Sequence, residues 1–233
     1  MLTCQAGDYA TARACWQEAL TIAGDLRGKA QIAEIRAGLG ILALLEGDHA
    51  RSRALLEEGL ALAQESAAWS LIGLVVFNLG RLARAEEDIA RADALIRESL
   101  SVFRDHGDWT GVAAPLTWSG VIAVERGLLR RGVRLIGASA SRQPRPWWES
   151  SHDRRAYDQR LSDARAALGE PGFAAAFAEG QTMTLDQAVA YALSDDDSVN
   201  SPPDEPRPVE SIPPPATQSG GPWSAPEHPT AAR

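Results

Sequence analysis

Apolar residues recur at spacings of three and four along most of the first 140 positions, which is the spacing of one face of an α-helix. The segment from residue 48 to residue 65 shows the pattern clearly. Its apolar stripe contains Ala50, Ala54, Leu55 and Leu62. Charged residues occupy the opposite side, so the stripe needs a neighbouring helix to cover it.

The pattern repeats at a regular interval along the chain. The segment that begins at Gly7 aligns without a gap with those that begin at Gly47 and Glu87, and more weakly with the one at Gly127. Gly47 suits the left-handed position that ends a helix, and Asp48 suits the cap of the next helix. Each unit therefore predicts two antiparallel helices, A and then B, and the repetition indicates a solenoid.

Small residues at fixed places predict that the two helices of a unit pack closely. A Leu-Gly pair lies in the middle of helix A at residues 39–40 and again at residues 79–80. A glycine inside a helix costs about 1 kcal/mol of helix propensity, so its benefit must come from packing. We expect Gly40 to face Ala50 or Ser52 of helix B.

These residues resemble the tetratricopeptide repeat (TPR). Besides the Leu-Gly pair, helix B carries a small residue and then a large one at equivalent places in three units: Ala12 and Trp16, Ser52 and Leu56, Ala92 and Ile96. A period of 40 exceeds the usual 34, so the units are similar to the longer TPR-like repeats of bacterial signal-transducing regulators. The resemblance covers residues 1 to about 140 and implies an all-α fold of antiparallel helix pairs.

The pattern changes from Leu135 onward and predicts three short helices. One ends at Gly169, one runs from Pro171 to Gly180, and one opens with the capping box from Thr184 to Gln187. This part resembles the segment that closes the TPR-like sensor region of bacterial STAND-type predicted ATPases and LuxR-class transcriptional regulators. The residues that carry this resemblance include Leu135, Ile136, Gly137, Tyr157, Ala164, Leu168, Gly169, Phe173, Phe177, Gly180, Leu185, Ala188 and Leu193.

The composition divides the chain into three parts. We predict a solenoid over residues 1–142, with an incomplete first repeat, and a C-terminal helical segment over residues 143–193. The remaining residues, 194–233, contain ten of the fourteen prolines and predict a disordered acidic tail. Seven acidic residues against two arginines give this tail a charge of −5, so −3 of the total of −8 remains for the rest.

Charge and hydropathy narrow the function. A net charge of −8 argues against direct binding of nucleic acid, which depends on neutralising phosphates. The longest apolar run, residues 71–79, is too short to cross a bilayer, and no targeting segment precedes the first helix. Cys4 and Cys15 have no metal-binding spacing and are typical of reduced core residues. We expect a cytoplasmic protein without contact to a membrane.

No catalytic or cofactor motif is present. The sequence from Gly24 to Ala30 lacks the glycine spacing and the Ser or Thr of a phosphate-binding loop, and the four histidines form no cluster. The segment from Asp105 to Thr110 contains carboxylates and His106, but the period makes it the linker between a B helix and the next A helix. We therefore predict a protein that is not an enzyme and uses no metal or cofactor.

The remaining candidate is a concave groove lined by the A helices. Positions three or four apart on one A helix, and the equivalent positions one period later, give six candidate binding residues: Phe77, Asn78, Arg81, Arg84, Thr117 and Trp118. Polar Asn78 and Arg81 interrupt an otherwise apolar helix and suit a peptide or a small anionic effector. The alternative is that Phe77 and Trp118 belong to the core.

Two further features have alternative interpretations. Trp147 and Trp148 are either a flap over the end of the solenoid or an aromatic platform for a ligand. The segment from Arg126 to Arg165 holds ten arginines and four acids, and is either a solvated face paired with carboxylates or a docking surface for an acidic partner, including the chain's own tail.

Together these patterns predict a non-catalytic TPR-like sensor module that binds a protein, a peptide or a small effector, as part of a bacterial signal-transduction or transcriptional regulator. The alternatives are a free-standing scaffold for protein assembly, or a fragment of a LuxR-class regulator without its helix-turn-helix. By the period, Met1 falls opposite Ile41, so the first repeat lacks most of helix A. We expect either a preceding segment or a homodimer to cover Trp16.

Overall fold

A computed structural model describes residues 11, 13–16, 18, 28–141 and 151–194, and of Ser151 and His152 it describes only the backbone. The described residues are helical apart from short connections and include no strand. Residues 11, 13–16 and 18 are helical, and the helices that follow are α1 (Lys29–Leu45), α2 (His49–Glu65), α3 (Trp69–Ala85), α4 (Ile89–Asp105), α5 (Ala113–Glu125), α6 (Leu129–Ala140), α7 (Ser151–Thr182) and α8 (Leu185–Leu193).

The helices α1 to α6 form three antiparallel pairs of a TPR-like solenoid, which confirms the predicted fold. Helices α1 and α2, α3 and α4, and α5 and α6 pack against each other, and each pair packs on the next. The helices α1 to α4 are equal in length and begin at even intervals along the chain. The A helices are α1, α3 and α5, and the B helices are α2, α4 and α6.

The turns explain the regularity. Gly47 and Gly127 end α1 and α5 in the left-handed region, with φ values of 80° and 81°. Between them, Glu87 takes the same place with φ of 65°, although the conformation favours glycine. Asp48 accepts a hydrogen bond from the backbone of Arg51 at 3.1 Å, as the sequence predicts for the cap of a B helix.

The glycines inside helix A allow the close packing that the sequence predicts. The hydroxyl of Ser52 on α2 donates a hydrogen bond to the carbonyl oxygen of Gly40 on α1 at 2.8 Å. A Cβ atom at Gly40 would lie 2.8 Å from the side chain of Leu56. The pair of residues that we expected to face each other, Gly40 and Ser52, is therefore in direct contact.

The third A helix departs from the strict period. The repeat places its start near Trp109, but α5 begins later, at Ala113, with Pro115 in its first turn. Proline is tolerated there because the first amides of a helix have no intrahelical acceptor. Residues 106–112 form the connection, which confirms that the segment around His106 is a linker.

The C-terminal helices agree with the prediction in two places and differ in one. Gly169 breaks α7 with φ of 69° and ψ of 159°, and Thr184 and Gln187 form the predicted capping box at the start of α8. The second half of α7 does not end at Gly180 but continues to Thr182. Gly180 lies inside the helix and is buried against α6. The two helices approach so closely there that a Cβ atom at Gly180 would lie 2.0 Å from the carbonyl oxygen of Arg134.

Helices α7 and α8 share their cores with the solenoid. Phe173 of α7 packs with Val133 of α6, and Val189 of α8 packs with Leu100 of α4 and Leu135 of α6. The boundary that we place at residue 142 stays a prediction. Tail residues 195–233, together with Cys4, Trp147 and Trp148, lie outside the described residues.

Candidate functional site

The polar residues that interrupt helix α3 form one connected group. Asn78 donates a hydrogen bond through Nδ2 to the carbonyl oxygen of Leu74 at 2.8 Å, and its Oδ1 accepts one from Nη1 of Arg81 at 2.8 Å. Asn78 is fully buried and Arg81 is only 7% exposed. The amide of Asn78 therefore fixes the position of a guanidinium that has left bulk water.

A carboxylate from another helix meets this guanidinium. Nη2 of Arg81 forms an ion pair with Oδ2 of Asp153, in the first turn of α7, and the two side chains are 6% and 14% exposed. The ring of Phe77 lies below the guanidinium, 5.9 Å from its central carbon. A buried charge is costly without a partner, so this pair fixes where the start of α7 lies on α3.

A second charged group lies along α5. Glu125 accepts hydrogen bonds from Nε of Arg84 at 3.1 Å, from Nη2 of Arg84 at 2.5 Å and from Nε of Arg160 on α7 at 3.1 Å. The side chain of Glu125 is 8% exposed. Hydrogen bonding to Glu125 raises the pKa of Arg160, and the guanidinium of Arg84 also stacks 4.9 Å above Trp118. One carboxylate thus joins two arginines from two helices.

Apolar contacts connect the two charged groups. Tyr157 and Leu161, four and eight positions after Asp153, pack against the cluster that contains Phe77 and Trp118. Burial raises the pKa of Tyr157, and the neighbouring charge of Asp158 raises it further. The first half of α7 therefore contacts α3 and α5 through a stripe of one acidic, one aromatic and one aliphatic residue.

We call the surface below this stripe the A-helix face. It comprises Phe77, Asn78, Arg81, Arg84, Trp118 and Glu125. Five of the six predicted binding residues belong to it. They are covered by α7, so they do not form an open groove. The alternative, that Phe77 and Trp118 belong to the core, agrees with the structure, in which both are buried, and their role in binding stays a prediction.

Thr117 does not belong to the A-helix face. Its hydroxyl donates a hydrogen bond to the carbonyl oxygen of Ala113 at 2.9 Å and contacts the hydroxyl of Ser139 on α6. Thr117 lies on the side of α5 that contacts α6, whereas Trp118 packs in the cluster that also includes Tyr157 and Leu161 of α7. The equivalence of positions one period apart placed Thr117 correctly on α5, but not on the side of α5 that α7 covers.

Sequence reasoning missed the residues that α7 contributes. Asp153, Tyr157 and Leu161 follow a spacing of four, which identifies one helix face, and Glu125 ends an A helix. The spacing was a usable signal for amphipathicity. The spacing of these residues does not indicate which surface of the solenoid the helix covers.

The arginine-rich segment is paired at several places. Arg126 pairs with Asp93 at 2.6 Å, Arg165 with Glu170 at 3.2 Å, and Arg134 with Glu179. These contacts favour the solvated, paired interpretation over a free docking surface for an acidic partner.

Arg131 from the same segment anchors the end of α8. Its Nη2 donates hydrogen bonds to the carbonyl oxygens of Tyr191 at 2.7 Å and Ser194 at 2.6 Å, and Arg97 donates to that of Leu193 at 2.6 Å. The guanidinium of Arg131 lies 4.8 Å from the centre of the Tyr191 ring. These cations satisfy carbonyl groups that have no partner within the helix.

The loop around His106 has a structural arrangement. The ring of His106 stacks on Trp69 with 4.1 Å between centroids, and Asp108 accepts hydrogen bonds from the backbone and hydroxyl of Thr110 at 3.1 and 2.6 Å. Hydrogen bonds from Ser70 and Thr110 lower the pKa of Asp108. No group of three or more His, Cys, Asp or Glu residues in the described part of the chain is arranged to hold a metal ion.

Comparison with protein families finds one similarity. The tetratricopeptide repeat family model matches residues 1–65. Comparisons with curated proteins and with solved structures found no match. TPR repeats generally mediate protein–protein interaction and are typically not catalytic. Within residues 28–141 and 151–194, none of the helices has the length and apolar character needed to span a membrane.

Proposed function

We propose that this chain is a non-catalytic protein-binding module that holds a helical segment against its A-helix face. One observation carries the proposal: two buried charged groups and an apolar strip on α3 and α5 hold a helix in one defined position. The match to the tetratricopeptide repeat supports the same conclusion, because such repeats generally bind proteins or peptides.

The chemistry of the face supports binding rather than catalysis. Asn78 and Arg81 are engaged with each other and with Asp153, while Glu125 joins Arg84 to Arg160. Groups held in such contacts recognise shape and charge. General acid–base catalysis needs instead a group that can exchange a proton with a substrate near neutral pH. We propose no cofactor for this site.

The finer hypothesis is that the module acts in the cytoplasm as the sensor part of a bacterial signal-transducing ATPase or LuxR-class regulator. The resemblance of residues 135–193 to such sensor regions supports it. The free-standing scaffold and the small effector remain the competing hypotheses. Neighbouring coding sequences distinguish the sensor from the scaffold. An adjacent ATPase or DNA-binding domain favours the sensor, and the absence of both favours the scaffold.

Association through the first repeat is part of the proposal. Trp16 is half-buried and packs with Ile35, Leu39 and Leu55 of α1 and α2. A second copy could cover the rest of Trp16. Sedimentation of the wild-type chain and of Trp16→Glu tests this: a dimer that the substitution dissociates supports it, and a wild-type monomer contradicts it.

The binding proposal is tested by comparing partners of the chain in cells. An affinity-tagged chain is purified as wild type, as Arg81→Glu and as Arg154→Glu, and the retained proteins are quantified by mass spectrometry. Arg81 lies in the A-helix face, whereas the side chain of Arg154 is 68% exposed on the far side of α7 and serves as a matched control. We expect at least one protein to be lost with Arg81→Glu and kept with Arg154→Glu.

Circular dichroism must show that both variants keep their helicity. Equal retention of every partner by the wild type and Arg81→Glu would contradict binding at the A-helix face.

A further inference from the structure

The two halves of α7 are attached to the solenoid in different ways. The second half, after Gly169, packs backbone against backbone on α6: a Cβ atom at Gly137 would lie 2.3 Å from the carbonyl oxygen of Phe177. Contacts this close leave no room for movement without separating the helices. The second half is therefore a fixed part of the fold.

The first half, residues 151–168, contacts α3, α5 and, through Ala164, also α6, and these contacts are made by side chains. Asp153, Tyr157 and Leu161 contribute one side, and Ala164 continues it as a fully buried residue beside Val124 and Val133. The opposite side is exposed and largely polar or charged, including Arg154, Arg155, Asp158, Gln159, Ser162, Asp163 and Arg165. This segment has the character of an amphipathic helix bound in a groove.

Gly169 separates the two halves at a non-helical residue, with φ of 69° and ψ of 159°. The backbone kinks at Gly169, so the two halves of α7 are two helices joined at this residue. The first half can leave the A-helix face while the second half stays on α6.

We propose that the A-helix face is a docking site for an amphipathic helix of a partner protein, and that residues 151–168 occupy this site as an intramolecular competitor. The partner helix presents a carboxylate, an aromatic ring and an aliphatic side chain at positions i, i+4 and i+8. This inference rests on the proposed function and specifies its partner.

The face itself determines these requirements. Arg81 is buried and held by Asn78, so the group that meets it must be an anion. A basic residue at that position of the partner would face Arg81 with like charge. Phe77 and Trp118 form an apolar surface that suits an aromatic ring of the partner, as it does Tyr157. Glu125 selects a basic residue seven positions after the partner's carboxylate, the place that Arg160 takes relative to Asp153.

Competition makes a simple prediction for affinity. A tethered segment has an effective concentration in the millimolar range, so it outcompetes a free helix of equal intrinsic affinity. For an intrinsic dissociation constant of about 10 µM, an effective concentration of about 1 mM weakens the apparent affinity about 100-fold. A separate peptide with the sequence of residues 151–168 should bind the wild-type chain poorly. It should bind well to a chain whose own residues 151–168 contact the A-helix face more weakly.

The test uses a fluorescein-labelled peptide with the sequence of residues 151–168, titrated into the full chain and followed by anisotropy. The opened variant carries Asp153→Arg and Tyr157→Ala, which remove the acidic and aromatic contacts of the chain's own helix. We expect the opened variant to bind the peptide at least ten times more tightly than the wild type. Arg154→Ala, on the exposed side of α7, should behave like the wild type, because the side chain of Arg154 is 68% exposed.

A charge exchange tests the register. The charge-exchange variant carries Arg81→Glu together with Asp153→Ala and Tyr157→Ala, so the chain's own helix offers no basic group to the new carboxylate. The original peptide should not bind this variant. A peptide in which Asp153 is replaced by Arg should bind this triple variant and not the opened variant. Hydrogen exchange should show faster exchange of residues 151–168 in the opened variant, with residues 170–182 unchanged, which checks that the remaining fold is intact.

Two results would overturn the inference: a folded opened variant that binds no more tightly than the wild type, or peptide binding that ignores the charge at residue 81. If the opened variant loses its fold, the single Tyr157→Ala variant replaces it under the same criteria. Failure here is separate from failure of the proposed function, because the retention of cellular partners depends on Arg81 and not on the peptide. A partner lost with Arg81→Glu, without peptide binding, leaves the proposed function standing.

Discussion

Gly180 should be among the least replaceable residues of α7, although it lies inside a helix where alanine is intrinsically better. A Cβ atom at Gly180 would lie 2.0 Å from the carbonyl oxygen of Arg134 and 3.0 Å from the backbone nitrogen of Ala138. Both atoms belong to the backbone of α6, so no side chain can rotate away. Gly180→Ala therefore forces the two helices apart.

The magnitude follows from this geometry. Carbon–oxygen contacts need more than about 3 Å, so α6 and α7 must separate locally by roughly 1 Å, which forfeits a quarter to a half of the dispersion energy of each opened contact. Overpacking of a core costs about 1–3 kcal/mol, and a clash with backbone belongs at the upper end. Alanine regains about 1 kcal/mol of helix propensity. We expect a net loss of about 2 kcal/mol, the upper end of the overpacking cost less this gain.

Gly172 is the matched control within the same half of α7. A Cβ atom there would meet only the side chain of Leu168 at 3.5 Å, an ordinary contact. Gly172→Ala should stabilise the chain by about 0.5–1 kcal/mol, because alanine loses less conformational freedom than glycine.

Thermal and urea unfolding, followed by circular dichroism, measure both variants. One kcal/mol shifts Tm by about 2–4 °C for a chain of this size, so Gly180→Ala should lower Tm by about 4–8 °C and Gly172→Ala should raise it slightly. Equal Tm values for Gly180→Ala and the wild type would refute the claim that backbone contact fixes the second half of α7. A loss with Gly172→Ala would refute the propensity argument.

Two further predictions concern pH and the tail. Burial raises the pKa of Tyr157 above the ordinary tyrosine value of about 10. The stability that the neutral ring provides is therefore complete below about pH 10 and is lost as the pH rises toward the pKa of the folded state. The free energy of unfolding between pH 9 and 11 should fall less steeply for Tyr157→Phe than for the wild type, and parallel slopes would contradict this. Truncation after Ser194 should change Tm by less than about 2 °C, because the carbonyl groups bound by Arg131 remain. Arg131→Met, which removes those contacts, should lower Tm by several degrees. A large effect of truncation would mean that the tail docks on the folded part.

The sequence by itself determined the repeating part of the fold. Capping at Asp48, the left-handed turn at Gly47 and the contact of Gly40 with Ser52 are decided by residues close in the chain or related by the period. Local rules suffice there because each unit of a solenoid packs on its neighbours in sequence. The break at Gly169 and the capping box at Thr184 were predictable for the same reason.

Only the tertiary structure decided what covers the A-helix face. The amphipathic spacing of Asp153, Tyr157 and Leu161 identifies a helix that needs a neighbour, but many apolar surfaces satisfy that need equally. The choice depends on Arg81, far away in the sequence, whose buried charge requires one particular carboxylate.

The same holds for residues whose role depends on the approach of two backbones. The sequence predicts a helix end at Gly180, yet this residue allows α7 to contact α6, and it predicts a groove residue at Thr117, which instead contacts Ser139. Spacing along the chain sets the direction of a side chain within its own helix. The position of that helix relative to the others, which depends on packing between residues far apart in sequence, decides what the side chain meets.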